Sequence, residues 1–210
     1  PIPTAGIFPP CDAEYKHGHV HIFDVHSDAG NYQSFHKSHE AGQNELRREL
    51  EAGFLIWAED REDLEERFGL LCPARIACIT NIKNGLLRVR LVHDLRRSGV
   101  NRRIRCPERV VLPRIADAIA SILRCIRHCD GRSLELLILD FSGAFKMLKF
   151  PPAEMILLSG AGLAGWFVYT TVLFGVLTGP LVWERVAAWT MRASASLLLP
   201  TAELLSLIHI

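Results

Sequence analysis

Apolar residues recur at three- and four-residue steps from Leu46 through Leu50, Phe54 and Trp57 to Leu64 and Phe68. That spacing lines one face of a helix and predicts helical structure over 45–68. Gly53 would break it into two helices, and Gly69 would stop it. The period then changes. Ile76 to Ile82 reads as a strand, and Asn84-Gly85 is a strong two-residue hairpin signal. Leu87 to Leu95 alternates as the return strand, carrying Arg88, Arg90 and, further on, Asp94. After Pro113, the stripe Ile115, Ala118, Ile119, Ile122 and Ile126 predicts a helix over 112–129. Leu134 to Leu139 reads as a buried strand that delivers one carboxylate, Asp140, at its end. Residues 1–44 are rich in Pro, His, Gly and Ser without periodicity, and predict a poorly ordered leader. Helices and strands mix without a regular strand–helix–strand period, which indicates an α+β fold.

One segment supports two readings. From Met155 to Trp183 the chain carries no charge, between Glu154 and Glu184. As one helix this run would reach about 44 Å at 1.5 Å per residue. A bilayer core is about 30 Å thick, so a membrane span near 157–182 is one reading. The other is a broken segment. Gly160, Gly162, Gly165, Gly175, Gly179 and Pro180 interrupt it, and Trp166 to Phe174 has the β-rich composition of a buried strand with a turn at Gly175.

Composition narrows the class. The chain is 49% hydrophobic and 22% charged, enough to bury a core. Its net charge is only +1, but the charge is uneven. Ten acids face four bases between Glu40 and Leu70, whereas thirteen Lys or Arg face four acids between Lys83 and Arg132. The basic half points to a polyanionic partner, or to a solvated basic face. Six cysteines form no Cys-x-x-Cys pair, and reduced thiols in an intracellular protein are expected. Cys125 and Cys129 have helical spacing but lack a second ligand pair for zinc. His17, His19, His21, Asp24, His26 and Asp28 could offer His-x-His metal ligands or form a polar leader. The first residue is Pro1, which suggests a fragment, and Leu205 to Ile210 resembles the translation of a sequencing adapter.

Four blocks carry a family resemblance. The first is Lys83-Asn-Gly-Leu-Leu-Arg88-Val-Arg90-Leu-Val-His-Asp94-Leu-Arg96-Arg97-Ser98-Gly99-Val100-Asn101. The second is Glu108-Arg-Val-Val-Leu-Pro-Arg-Ile115, and the third Leu139-Asp140-Phe141-Ser-Gly143-Ala144-Phe145. The fourth is Phe174-Gly175-Val-Leu-Thr-Gly179-Pro180-Leu-Val-Trp-Glu-Arg185. In this order they resemble a reverse transcriptase of the retrotransposon type, over about residues 31–204. Asn31-Tyr32-Gln-Ser-Phe35 fits the same pattern more loosely.

The resemblance implies a right-hand polymerase: fingers over 45–133, a partial ferredoxin-like palm over 134–204, no thumb, and an adapter-derived tail at 205–210. It implies nucleotidyl transfer from a dNTP to a primer 3′-hydroxyl on an RNA or DNA template, with Mg²⁺ or Mn²⁺. Asp140 would be the catalytic metal ligand. Lys83, Arg90 and the backbone at Phe141, Gly143 and Ala144 would hold the triphosphate. Phe145 would be the sugar gate, and Phe174 and Gly175 would contact the templating pair. The chain departs from the family at Gly143, where an acid is usual, and at Glu184, where a small residue is usual. The family's Tyr-x-Asp-Asp is not among the 210 residues. This implies a fragment that cannot itself polymerise. The resemblance also turns the uncharged run into palm helix, strand and the start of the next helix, with no membrane association. The alternatives are a non-enzymatic protein anchored by one span, and a decayed retroelement copy.

Overall fold

Helices and antiparallel strands alternate irregularly from Gln33 onward, an α+β fold. The computed structural model describes residues 30–106, 108, 114–128 and 140–198. The His-rich segment at 17–28, the predicted strand at 134–139 and the terminal residues 199–210 lie outside them. The chain divides into two compact units, Pro1–Cys106 with Phe145–Gly179, and Pro107–Ala144 with Pro180–Ile210.

The first unit opens with helices α1 (Gln33–Lys37) and α2 (His39–Glu51). Helical structure thus begins well before residue 45. Phe35 and Leu46 are buried, and a Cβ on Gly42 would come within 2.8 Å of the Phe35 ring. The burial of Phe35 against α2 supplies the order that local composition lacks. α2 ends where the glycine signal placed its break. Gly53 has φ +72, and the N–H groups of Gly53 and Phe54 donate to the carbonyls of Leu50 and Glu49.

The predicted second half of that helix is a correction. Leu55–Ala58 is strand β1, and only Arg61–Phe68 is helical (α3), stopped at Gly69 with φ +103. Trp57 is therefore not on a helical stripe. The six residues between Gly53 and Asp60 are too few for a stable helix, and β1 has a partner. That partner is β5 (Gly165–Tyr169), which pairs antiparallel on its other side with β4 (Ser159–Gly162) in a sheet ordered β1-β5-β4. Ala58, Leu64, Leu71 and Val168 form a buried cluster with Ile56, Phe68, Met155, Ile156 and Trp166 around it. Phe167 and Tyr169 alternate to the opposite face, where the His93 ring meets both edge-on.

The uncharged run is likewise not one helix. α6 (Pro152–Met155) ends on the first residue of the run, which then holds a 3₁₀ turn at Ile156–Leu158, the β4–β5 hairpin and the start of a later helix at Gly179. The strand covers Gly165–Tyr169 rather than continuing to Phe174. Its glycines explain the close packing. A Cβ on Gly162 would lie 2.4 Å from Leu46 Cδ1, and one on Gly165 2.4 Å from the Ala58 carbonyl. Among the described residues no helix is long and apolar enough to cross a membrane.

Strands β2 (Ile76–Lys83) and β3 (Leu86–His93) form a separate antiparallel ribbon from Ile76↔His93 to Lys83↔Leu86. Asn84 and Gly85 turn it with φ of 55° and 74°, the two positive values of a type I′ turn. Only its base is buried, at Ile76, Cys78 and His93. The return strand stops at His93 instead of reaching Leu95: the Asp94 N–H still bonds the Arg75 carbonyl at 3.0 Å, but the Leu95 N–H turns back to the His93 carbonyl at 3.0 Å. A short helix, α4 (Val100–Arg103), follows.

The second unit contributes helices α5 (Ile115–His128) and α7 (Gly179–Leu198). α5 falls where the isoleucine stripe predicts it. Arg114 and Asp117 close its first turn, and Arg185 of α7 pairs with Glu108.

Candidate functional site

The segment Asp94 to Asn101 is a bracket. The Asp94 carboxylate accepts the Arg97 N–H at 2.8 Å and the Tyr32 hydroxyl at 2.5 Å. Burial opposes its charge, but the bonds from Tyr32 and from the backbone at Arg97 and Arg96 prevail and lower its pKa. Ser98 is buried and donates to the Leu95 carbonyl at 3.3 Å. Gly99 takes φ +82, which a side chain would resist, and Val100 is buried. The bracket ends at Asn101, whose Nδ2 donates to the Gly175 carbonyl at 2.6 Å while Oδ1 accepts the Leu177 N–H at 3.0 Å. One amide thus bridges both sides of a turn more than seventy residues away.

That turn carries two of the sequence-predicted site residues. Gly175 has φ +99, and Phe174 beside it is 73% exposed. A third, Phe145, is buried and meets the Phe174 ring edge-on with centroids 4.7 Å apart. Gly179 closes the group, since a Cβ there would lie 3.4 Å from Phe145. Residues of the first, third and fourth blocks therefore meet in the first unit.

Lys83 and Arg90 lie on one face of the ribbon. Opposite residues of an antiparallel pair share a face, so the register sets Lys83, Arg88 and Arg90 on the side of Ala77, Ile79 and Asn81. All three cations are exposed. The base of this ribbon borders the turn, because a Cβ on Gly175 would lie 3.7 Å from the His93 carbonyl. Arg90 stands three residues further out, about 10 Å along the strand.

The remaining predicted residues begin in the second unit. Asp140 is exposed. Phe141 packs edge-on against the buried Trp183 at 5.3 Å. Gly143 takes φ +63 in an exposed turn, where a residue without a Cβ fits. Ala144 starts the 3₁₀ turn Ala144–Met147 that carries Phe145. Among the described residues no three His, Cys, Asp or Glu side chains are grouped as metal ligands. Asp140 offers one carboxylate, too few ligands by itself for a centre of two ions about 3.5–4 Å apart.

Sequence reasoning missed a buried polar cluster that anchors Phe145. Lys146, the next residue, ion-pairs with the buried Glu49 of α2, whose second oxygen accepts the Tyr169 hydroxyl. Burial, then the Glu49 charge, pushes the Tyr169 hydroxyl well above its usual pKa. His93 is buried beside them, and burial, followed by the Lys146 charge, lowers its pKa to about 3. Its Nε2 has no hydrogen-bond partner among the described residues. A signal for this cluster was present. Glu49 falls on the Leu46–Leu50 face of α2, where an acid needs a counter-ion.

No protein-family model, curated protein or solved structure matches the chain.

Proposed function

We propose that this chain is the fingers and part of the palm of a retroelement-type RNA-directed DNA polymerase, and that its first unit binds primer–template. The observation that carries this reading is the meeting of Asn101, Phe145, Phe174 and Gly175, which come from three separate blocks of the resemblance. They present an exposed aromatic ring beside the base of a ribbon whose one face carries Lys83, Arg88 and Arg90. A flat ring suits a nucleobase, and guanidinium groups suit phosphate oxygens. In the complete enzyme the ribbon would fold over the triphosphate of a dNTP, with Phe145 beneath the sugar and Phe174 and Gly175 against the templating pair.

Asp140 would serve as one ligand of Mg²⁺ or Mn²⁺, but the described residues do not complete a two-ion centre, so the chemical step is not assigned to this chain. Its own contribution is binding and orientation. Titration of the purified chain with a fluorescent primer–template at several salt concentrations tests the reading. Affinity that falls steeply with salt and is lost when Arg88 and Arg90 become Ala supports it. Absence of binding at low salt rejects it.

A further inference from the structure

We propose that Asn101 is a positioning residue that fixes the Gly175 turn so that Phe174 presents its ring to a nucleobase. This rests on the primer–template reading above and adds to it the residue that orders the contact.

The geometry is specific to an asparagine. The turn offers one carbonyl, at Gly175, and one N–H, at Leu177, and a primary amide is the group that satisfies both at once. Because each partner fixes one end, the orientation of the amide is determined. Aspartate would keep the acceptor and lose the donor, and alanine would lose both. The turn needs such a tie. Leu173 and Val176 are buried and anchor it from within, whereas Phe174, Gly175 and Leu177 face outward. Gly175 at φ +99 has the broad freedom of a residue without a Cβ. Without the amide, the turn keeps its buried anchors and the Val176 N–H bond to the Leu173 carbonyl at 3.4 Å, but the Gly175 carbonyl and the Leu177 N–H lose the side chain that joins them.

The rest of the bracket holds Asn101 itself. Its N–H donates to the Leu95 carbonyl at 3.0 Å, and Leu95, Val100 and Ile104 are buried around it. Asp94 is tied to Tyr32 on the other side. An aromatic ring held at its backbone by this bracket, and in perpendicular contact with the Phe145 ring, is preorganised, so less ordering remains when a base arrives.

Two measurements on the full 210-residue chain test this. The first is amide hydrogen exchange. Asn101→Ala should abolish protection at Leu177 while the Val172 amide, bonded to the Leu148 carbonyl, keeps its own. Asn101→Asp should restore part of it. Unchanged protection at Leu177 in the alanine variant overturns the clamp.

The second is a double-mutant cycle in primer–template affinity. Phe174→Ala should weaken binding about tenfold, the scale of one lost stacking contact. Asn101→Ala should weaken it by a comparable factor, and the double variant no more than Phe174→Ala alone. Thr170→Val, which removes a side-chain bond to the Gly53 carbonyl, should leave affinity unchanged and serves as the stability control. If the two losses multiply, Asn101 acts independently of Phe174 and the proposal fails. If the wild-type chain binds no primer–template, the nucleobase role falls with the reading it rests on, while the exchange measurement still decides the clamp.

Discussion

The Tyr32 hydroxyl donates to Asp94 Oδ2 at 2.5 Å, joining the start of the first helix to the end of the ribbon across 62 residues. The bond holds the bracket that ends at Asn101. It also stabilises the charged form of Asp94, whose pKa is lowered from its usual 3.8.

Tyr32→Phe should therefore cost about 1–2 kcal/mol in urea denaturation at neutral pH, the scale of a hydrogen bond to a partly buried charge. A carboxylate with a depressed folded-state pKa contributes stability above its unfolded pKa and loses it as pH falls through the folded one. The gap between variant and wild type should thus narrow below about pH 4. A gap that stays constant into acid would show that the bond does not depend on the Asp94 charge.

Lys146→Met should destabilise the first unit by about 2–4 kcal/mol, because it leaves Glu49 buried without its counter-ion. The lower figure allows for the partial exposure of the lysine. The Glu49→Leu/Lys146→Met double variant should recover much of the loss. If the double variant is less stable than Lys146→Met, the ion pair is not what makes the single change costly.

His93 predicts a separate acid sensitivity. It is enclosed by the Phe167 and Tyr169 rings and lies near Lys146, and its pKa falls from 6.5 to about 3. The unfolded chain thus takes up a proton that the folded one refuses. Stability should be full above the unfolded pKa of about 6.5 and decline as pH falls from there towards the folded value. Chemical denaturation of wild type and His93→Phe between pH 7 and pH 4 checks this, using about that window. The variant should show a shallower decline, and an equal one would place the sensitivity elsewhere.

Gly162→Ala should be costly although glycine to alanine often stabilises a chain. The new methyl would sit 2.4 Å from Leu46 Cδ1, and overpacking of this kind costs about 1–3 kcal/mol. Leu46→Ala in the same chain should restore space without restoring full stability. Thermal melts of the two single variants and the double variant give the comparison.

On the proposed polymerase reading, binding to primer–template should weaken with salt, and Arg88→Ala should reduce the slope of log affinity against log salt by about 1. On the same reading the preparation should show no primer extension with any dNTP and Mg²⁺, since the Tyr-x-Asp-Asp that the resemblance leads one to expect is not among the 210 residues. Extension in a gel assay would overturn that expectation.

What the sequence determined by itself was the set of local decisions. Asn84-Gly85 fixed the hairpin because both positions must take positive φ, and they do. Gly53 and Gly69 ended helices for the same reason, and the isoleucine stripe marked α5 by its period. Tertiary structure decided whatever depended on a distant partner. Leu55–Ala58 carries apolar spacing that suits a helix, yet it is a strand because Gly165–Tyr169 lies alongside to receive its hydrogen bonds. The uncharged run from Met155 suits a span when read as hydropathy alone, yet its glycines let a hairpin pack against Leu46 and Ala58. The candidate site divides in the same way. The motifs single out Phe145, Phe174 and Gly175 one at a time. Their contact, and the amide of Asn101 that ties the turn, depend on the folded chain closing gaps of tens of residues. Periodicity records which face a residue occupies, and only the fold sets what that face meets.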